Sequence, residues 1–499
     1  MPPAAAIRIH PDDDVAIAVV PLAAGSTVVA GGCEVTVAED VPAGHKVALR
    51  ALAAGQVVMK YGFPIGRATA PIDAGEHVHL HNLASDLGGA LELRYVPPPP
   101  AAAVDPPAVA FDGYRRAGGA AGTRNEVWIL PTVGCVNRVA MRIAERARQR
   151  FAGAPGVDGI HAFPHPFGCS QLGDDLRHTQ RLLAGLLRHP NAGGVLVVGL
   201  GCENNQLADL LALAGDGDRR RRRYFNAQEE GDEIAAGIER LAELVAAMAG
   251  DRRRPCPAAQ LVAGLKCGGS DGLSGVTANP LAGDVADRLT AAGGRALLSE
   301  VPEMFGAEQA LLARALERRV FDRGVELIEG FKRYFERHRQ AIDRNPSPGN
   351  RDGGITTLAE KSLGAIQKGG RAPVAGVLRY GEAVGDRAGL HLVEAPGNDG
   401  VSSTAMVAAG ATVLLFTTGR GTPLGFPVPT IKIASNSALA ARKPSWIDFD
   451  AGRLLAGTPR PVLAAELWRL VLDVASGRRT RNEENGDREI AIWKDGVTL

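Results

Sequence analysis

The stretch VLVVGLGCENNQ, residues 195–206, decides the architecture. Its apolar run Val195–Leu200 has the length of one buried strand, and it ends in a polar corner of Gly201, Cys202, Glu203, Asn204, Asn205 and Gln206. The pattern recurs along the chain. Trp128–Leu130 runs into Pro131, Thr132, Gly134, Cys135 and Asn137; Leu261–Leu265 into Cys267, Gly268, Gly269, Ser270, Asp271 and Gly272. Leu390–Val393 runs into Pro396, Gly397, Asn398, Asp399 and Gly400; Val413–Phe416 into Thr417, Thr418, Gly419, Arg420, Gly421 and Thr422. Ala296–Leu298 is a further short apolar run. Between these runs the period changes. Ile234, Ile238, Leu241, Val245 and Met248 sit at helical spacing within Glu233–Met248, and helices are also expected over Arg138–Arg150, Glu308–Arg318, Val325–Arg339 and Ala464–Ala475. Strands alternating with helices predict an α/β fold with largely parallel sheets.

In open parallel sheets, ligands bind outside the carboxyl ends of the strands. Glycine lets backbone amides approach a ligand closely, and Asn, Ser, Thr and Asp hydrogen-bond hydroxyls. Five such corners point to a polyhydroxylated, anionic small molecule. Asn204, Asn205, Ser270, Asp271, Arg420 and Lys432 are the candidate substrate contacts.

Toward the amino terminus the pattern stops at Pro97–Val109, where four consecutive prolines, three alanines and a further proline pair can continue neither a helix nor a central strand. Residues 97–110 are read as a linker. Residues 1–96, with Val-rich runs at Ser26–Ala38 and Gln56–Tyr61, are read as a small all-β unit. After the linker, residues 111–252 and a catalytic 253–499 are read as two α/β regions, divided near Gly250–Pro257. Glycine, at 62 of 499 residues against a usual share of about 7%, is in keeping with so many tight corners.

Lys and Arg number 56 against 55 Asp and Glu, so neither nucleic acid nor an anionic membrane is an expected partner. No apolar run reaches the length of a membrane span, and Met1–Asp14 lacks a basic, apolar leader. Six cysteines without a CxxC pair suit a reducing cytoplasm. No phosphate-loop, HExxH or GxSxG signature is present. Arg219–Arg223 is read as a solvated loop.

Two constellations carry chemistry. His77, His79 and His81 alternate, so on a strand all three imidazoles share one face and form a metal platform. Near them in sequence lie His45 and Lys46 after Gly44, and Lys60 and Tyr61 before Gly62, candidates for proton transfer or carboxylate anchoring. Cys135, Cys169, Cys202 and Cys267 each sit in or beside a polar corner, where a thiolate can bind iron or zinc or a small residue can fill a turn.

These segments together resemble the altronate and galactarate dehydratases. The resemblance rests on VWILPTVGCVN (127–137), HPFGCSQLGDD (165–175), GLGCENNQ (199–206), CGGSDGLSGVTANP (267–280), EVPEMFGAEQ (300–309), NPSPGNRDGGITTLAEKSLG (345–364), APGNDG (395–400) and TGRGTP (418–423). It covers nearly the whole chain. The amino-terminal unit, with GHKVAL (44–49), KYGFPIG (60–66) and VHLHN (78–82), is similar to a SAF (β-clip) domain. The tail REIAIWKDGVTL (488–499) and the length are closer to the altronate enzymes than to the longer galactarate ones.

The resemblance implies a hydro-lyase of hexuronate catabolism that converts D-altronate to 2-keto-3-deoxy-D-gluconate, using a divalent metal, Fe(2+) first and Mn(2+) second. Removing a proton beside a carboxylate creates a dianion that needs a cation or strong donors. The metal is placed at His79 and His81, with Cys135, Cys169 or Cys202 as further ligands, and His45, Lys60 and Tyr61 are the acid/base candidates. Alternatives are galactarate or another sugar acid, a sulfonated hydroxy acid losing sulfite, a non-catalytic sugar-acid-binding protein, and an iron–sulfur dehydratase. Oligomeric state is left open, a homo-oligomer included.

Overall fold

The computed structural model describes residues 4–87, 93–97 and 108–496. Most of the linker, 98–107, and the end of the tail, 497–499, lie outside the described residues.

Residues 4–87 form antiparallel sheets. One has the order Ala6–Ile7, Val15–Ala18, Lys46–Ala48, His77–Val78, and another the order Val57–Lys60, Phe63–Ala68, Leu83–Ala84. The run expected over Ser26–Ala38 is a hairpin, Thr27–Ala30 against Cys33–Thr36. Gly31 and Gly32 turn it, both at positive φ (57° and 81°), the combination that tight two-residue hairpins require.

Two parallel sheets follow. The smaller has the order Gly159–Ala162, Glu126–Pro131, Ala192–Gly199, Arg222–Asn226. The larger has seven strands, Val374–Leu378, Gly389–Val393, Arg295–Leu298, Val262–Cys267, Val413–Thr418, Thr430–Ala434 and Phe449–Asp450. Its central strands are buried along their whole length, as helices on both faces demand. A small antiparallel sheet of Ala121–Gly122, Ala110–Arg115 and Arg254–Pro257 lies where the chain passes between the two.

Helix Glu233–Met248 has the expected bounds, and Asn137–Arg150 and Arg460–Ala475 cover their expected runs. Glu308–Arg318 is instead a short helix, Glu308–Leu312, and a second helix starts early, at Arg318, and runs to Arg337. Helices Gly173–Leu187, Ala278–Ala291, Leu358–Ala365 and Asp399–Ala408 were not anticipated. Asp399–Ala408 carries Gly400, Ser402, Ser403 and Thr404, poor helix formers, but Val401–Ala408 is buried throughout, and burial overrides propensity.

Val58, Ile65 and Leu83 belong to the same buried cluster as Leu358, Leu363 and Val301. The amino-terminal sheets therefore rest directly on the larger parallel unit, and Thr357 Oγ1 donates to the Ile65 carbonyl at 2.5 Å across that seam. No described helix is long and apolar enough to cross a membrane.

Candidate active site

The seam brings buried charges together. Lys46 begins the strand Lys46–Ala48, Lys60 ends Val57–Lys60, and Glu360 lies in the first turn of the helix capped by Thr357. Lys46 Nζ donates to Glu360 Oε2 at 2.9 Å and Lys60 Nζ to Oε1 at 2.6 Å. Thr356 donates twice more to Oε2, from its amide at 2.9 Å and its hydroxyl at 2.6 Å. All three charged groups are buried. One carboxylate thus serves two ammoniums. Burial, with the charge of Lys60, holds Lys46 down to about 8, against the pull of Glu360. Burial also acts against Lys60, but the charge of Glu360 pulls the other way and that amine is raised. Glu360 stays ionised despite its burial because both ammoniums face it. Lys46 is therefore the first to lose its proton, and a proton handed from Lys60 to Lys46 through Glu360, whose two oxygens touch both, would leave Lys60 neutral in its place.

Tyr61 follows at φ 61°, a left-handed conformation rare for a side chain this large. Its hydroxyl packs on Gly275 and Gly364; a Cβ at Gly275 would stand 2.1 Å from it. Burial raises the phenol and keeps it protonated, while Lys60, 5.0 Å from the ring centroid, works against that. Lys60, Tyr61, Ser270, Asp271, Cys267 and Lys361 line a narrow inner gap of about 10 Å³, room for about one water molecule.

Outside the gap lies an open cleft of about 340 Å³, lined by Gly44, Asp271, Gly353, Gly419, Arg420 and Arg442. Asp271 lines both spaces. Its carboxylate accepts from Ser274 Oγ at 2.8 Å, Ser435 Oγ at 2.9 Å and Asn436 Nδ2 at 3.1 Å, and burial raises it despite these bonds. Ser270 is buried, and its carbonyl accepts from Asn350 Nδ2 at 2.8 Å. Arg420 donates to the Gly349 carbonyl at 3.2 Å.

The histidines border the same segments. His45 Nδ1 stands 3.0 Å from His77 Nε2, and its Nε2 lies 3.2 Å from the Asp352 carbonyl. His79 Nε2 lies 3.0 Å from the Arg351 carbonyl. Ring centroids are 4.9 Å apart for His45 and His79 and 5.6 Å for His77 and His81. The three-histidine strand is corrected: only His77–Val78 is strand, and the chain turns at 79–82, with Asn82 Oδ1 accepting from the His79 amide and Nδ2 donating to the His77 carbonyl. The turn, rather than strand alternation, brings His81 back beside His77. Burial lowers His45 and His79, and burial with the neighbouring imidazoles takes His77 to about 3. No carboxylate pairs with these four rings among the described residues.

A second buried group went unread in the sequence. Cys267, Glu300 and Glu303 bring three ligand atoms within 4.8 Å of one another, a set able to hold a divalent metal. Three lysines compete for it. Lys266 pairs with Glu300, Lys368 Nζ reaches Glu300 at 3.0 Å and Cys267 Sγ at 2.7 Å, and Lys361 pairs with Glu303 at 2.9 Å. Burial and the two glutamates push the Cys267 thiol up to about 12, so it stays protonated. Glu300 holds a left-handed φ of 68° at the centre of this group. A legible signal existed: Lys266, Glu300, Glu303 and Lys361 all lie in or beside the quoted motifs.

The remaining site candidates lie elsewhere. Cys135, Cys169 and Cys202 are exposed on three loops at the carboxyl edge of the four-stranded sheet. These loops interlock: Gly134 N donates to the Phe167 carbonyl, Ser170 N to Asn204 Oδ1, Asn205 N to the Gly168 carbonyl and Asn205 Nδ2 to the Thr132 carbonyl. Among the described residues no hydrogen bond joins them to the histidines. Lys432 is buried, and its Nζ donates to the Thr422 and Leu424 carbonyls at 2.7 Å each, so it pins the loop that carries Arg420.

Three family models lie end to end along this architecture. They are the altronate/galactarate dehydratase SAF domain over residues 4–86, the second domain of D-galactarate dehydratase/altronate hydrolase over 113–249, and the D-galactarate/altronate dehydratase C-terminal model over 258–498. The chain is 50% identical to altronate dehydratase of Escherichia coli (strain K12) over 99% of both chains. It is 46% identical to altronate dehydratase of Bacillus subtilis (strain 168), again over 99% of both. Galactarate dehydratase (L-threo-forming) of Escherichia coli is 35% identical over 96% of this chain and 94% of its own. The protein is an enzyme of the hydro-lyase class. It belongs to the altronate/galactarate dehydratase family.

Proposed function

We propose that this chain removes water from D-altronate to give 2-keto-3-deoxy-D-gluconate, as in hexuronate breakdown. The carrying observation is the identity of 50% and 46% over nearly the whole length to two altronate dehydratases, against 35% to a galactarate dehydratase. The cleft takes the sugar acid, with Arg420 and Arg442 drawing its carboxylate and Ser270 and Asp271 meeting its hydroxyls. Lys60, which lines the inner gap, removes the C2 proton when the lysine pair holds its neutral amine; Lys46 and Glu360 set that state. Tyr61 donates to the departing C3 hydroxyl. The enol then ketonises by taking a proton at C3.

Four imidazoles gathered without a carboxylate partner, with neighbouring ring centroids 4.9–5.6 Å apart, are the residues assigned to a divalent iron or manganese ion. In the Cys267 group the three ligand atoms stand closer together, but ammoniums already neutralise its carboxylates. His45, His77, His79 and His81 would hold the metal. When bound, it would supply Lewis-acid stabilisation of the carboxylate-bearing dianion. A second reading, an iron–sulfur centre on Cys135, Cys169 and Cys202, draws on the exposure of all three thiols on interlocked loops. The cysteines, free in the described structure, suit a cytoplasmic setting.

The test is anaerobic turnover of D-altronate, galactarate and other aldonates, with and without added iron(II), scored by 2-keto acid formation. D-altronate should be the best substrate and iron should raise its rate. Preference for another acid would replace the substrate, and a colourless active enzyme would remove the iron–sulfur reading.

A further inference from the structure

The arginine run expected to be a solvated loop is built into a recess. Arg219–Arg221 form a short 3-10 turn, and Arg222 opens the outer strand Arg222–Asn226. Around them a recess of about 1210 Å³, its mouth included, is lined by Arg115, Arg116, Arg188, Arg220, Arg221 and Arg222. The only acidic side chains on its wall are Asp216 and Asp218 among the described residues. Three of the six guanidiniums have carboxylates within reach: Arg220 pairs with Asp218, Arg221 with Asp251 at 2.7 Å, and Arg116 stands 3.9 Å from Asp251.

The other three do not. Arg115, Arg188 and Arg222 each donate to one backbone carbonyl, of Pro255, Leu213 and Gly215 respectively, and none has a carboxylate within ion-pair distance among the described residues. A guanidinium carries five N–H donors in a fork that matches phosphate. Most donors of these three therefore have no protein partner among the described residues and face the recess or solvent. Burial lowers Arg188; burial and the charge of Arg188 lower Arg222. Burial and the nearby Arg221 take Arg116 down to about 10. Like charges are thus held together at a cost that a bound anion would remove.

No residue lining this recess lines the inner gap or the cleft assigned to the sugar acid, and it is also remote from the cysteine loops. Arg188, His189 and Pro190 precede the strand Ala192–Gly199, and Arg222 begins its parallel neighbour, so the recess lies at the amino-terminal edge of the four-stranded sheet. The loops with Cys135, Cys169 and Cys202 occupy the opposite edge. An eight-residue strand spans about 26 Å between them.

We propose that this recess is a binding site for a phosphate-bearing small molecule, distinct from the sugar-acid site. The shared chemistry is a dianionic phosphate group gripped by Arg188 and Arg222, and its source is either free inorganic phosphate or a phosphate monoester.

Titration calorimetry on the full chain tests it, with inorganic phosphate and glucose 6-phosphate as probes and gluconate at matched ionic strength as control. The comparison is the double variant Arg188→Gln, Arg222→Gln, whose melting temperature and D-altronate turnover without ligand should match the parent. The expected result is binding of at least one phosphate probe, none of gluconate, and a Kd raised by about tenfold or more in the variant, the loss of charged hydrogen bonds of this kind. Equal affinity for both probes supports recognition of the phosphate alone. Tighter binding of the ester supports a site that also holds the organic part. No heat from either phosphate probe, or equal affinity in parent and variant, overturns the proposal whatever the enzyme's substrate.

Discussion

Replacing Glu360 by Gln tests the lysine pair most severely. The carboxylate accepts from both Lys46 and Lys60, and both ammoniums are fully buried. Glutamine keeps the shape and can still accept from Thr356, but it leaves two uncompensated buried charges. Breaking a buried ion pair by removing one partner costs about 3–5 kcal/mol. Each tenfold change in an opening equilibrium corresponds to about 1.4 kcal/mol. Amide exchange in Lys46–Ala48 and Val57–Lys60, measured by mass spectrometry, should therefore accelerate by about two to three and a half powers of ten in E360Q. The control is Lys46→Met, which leaves one lysine for one carboxylate and fills the vacated space with apolar chain. Its exchange in Val57–Lys60 should stay within about tenfold of the parent, because Glu360 keeps the Lys60 ammonium as its partner and no buried charge is left unpaired. Both variants should lose turnover, since both disturb the proton inventory of Lys60. Unchanged exchange in E360Q would refute the reasoning that this carboxylate neutralises the seam.

Lys60→Met should lower turnover of D-altronate by about 10²–10⁴-fold, the usual range for a general base, with the far-ultraviolet dichroism retained; a parental rate would take Lys60 out of the reaction. The lysine pair must lose a proton to act, and Lys46 is held near 8, so kcat/KM should climb with pH and level off above about 8; a profile that falls over that range has the opposite sign. Gly275→Ala places a Cβ 2.1 Å from the Tyr61 hydroxyl, and turnover should fall by roughly 10²-fold as the phenol is displaced; an active, well-folded variant would show that Tyr61 is not the acid. His77→Ala should reduce the iron retained after desalting, read by elemental analysis, together with activity; undiminished iron would move the metal to the Cys267 group.

The parallel architecture was legible because its strands are short apolar runs ending in glycine corners, and Val195–Leu200 and Val413–Phe416 behave as that pattern requires. Helix Leu358–Ala365 was not, because it is buried all round, Glu360, Lys361 and Ser362 included, so no apolar stripe marks one face. That helix delivers Glu360 across roughly 300 residues to the two lysines, and no local pattern encodes a pairing at that separation. The histidines were legible as a cluster, but the turn that gathers them was hidden in the side-chain bonds of Asn82. The three exposed cysteines and Asn204 and Asn205 shared the glycine-corner signature with Ser270 and Asp271, yet they mark a different sheet edge. Corners of one type recur wherever a parallel strand ends, so composition alone does not say which of two sheets a corner serves.

In the proposed reaction a buried amine at the seam takes the C2 proton of D-altronate, and an enol then reprotonates at C3. Nuclear magnetic resonance of the reaction in deuterated water, with iron-replete anaerobic enzyme, follows this directly. The product should be 2-keto-3-deoxygluconate carrying solvent deuterium at C3, formed by the parent and strongly suppressed in Lys60→Met. Intact altronate after prolonged incubation, or product whose C3 carries no deuterium, would contradict it.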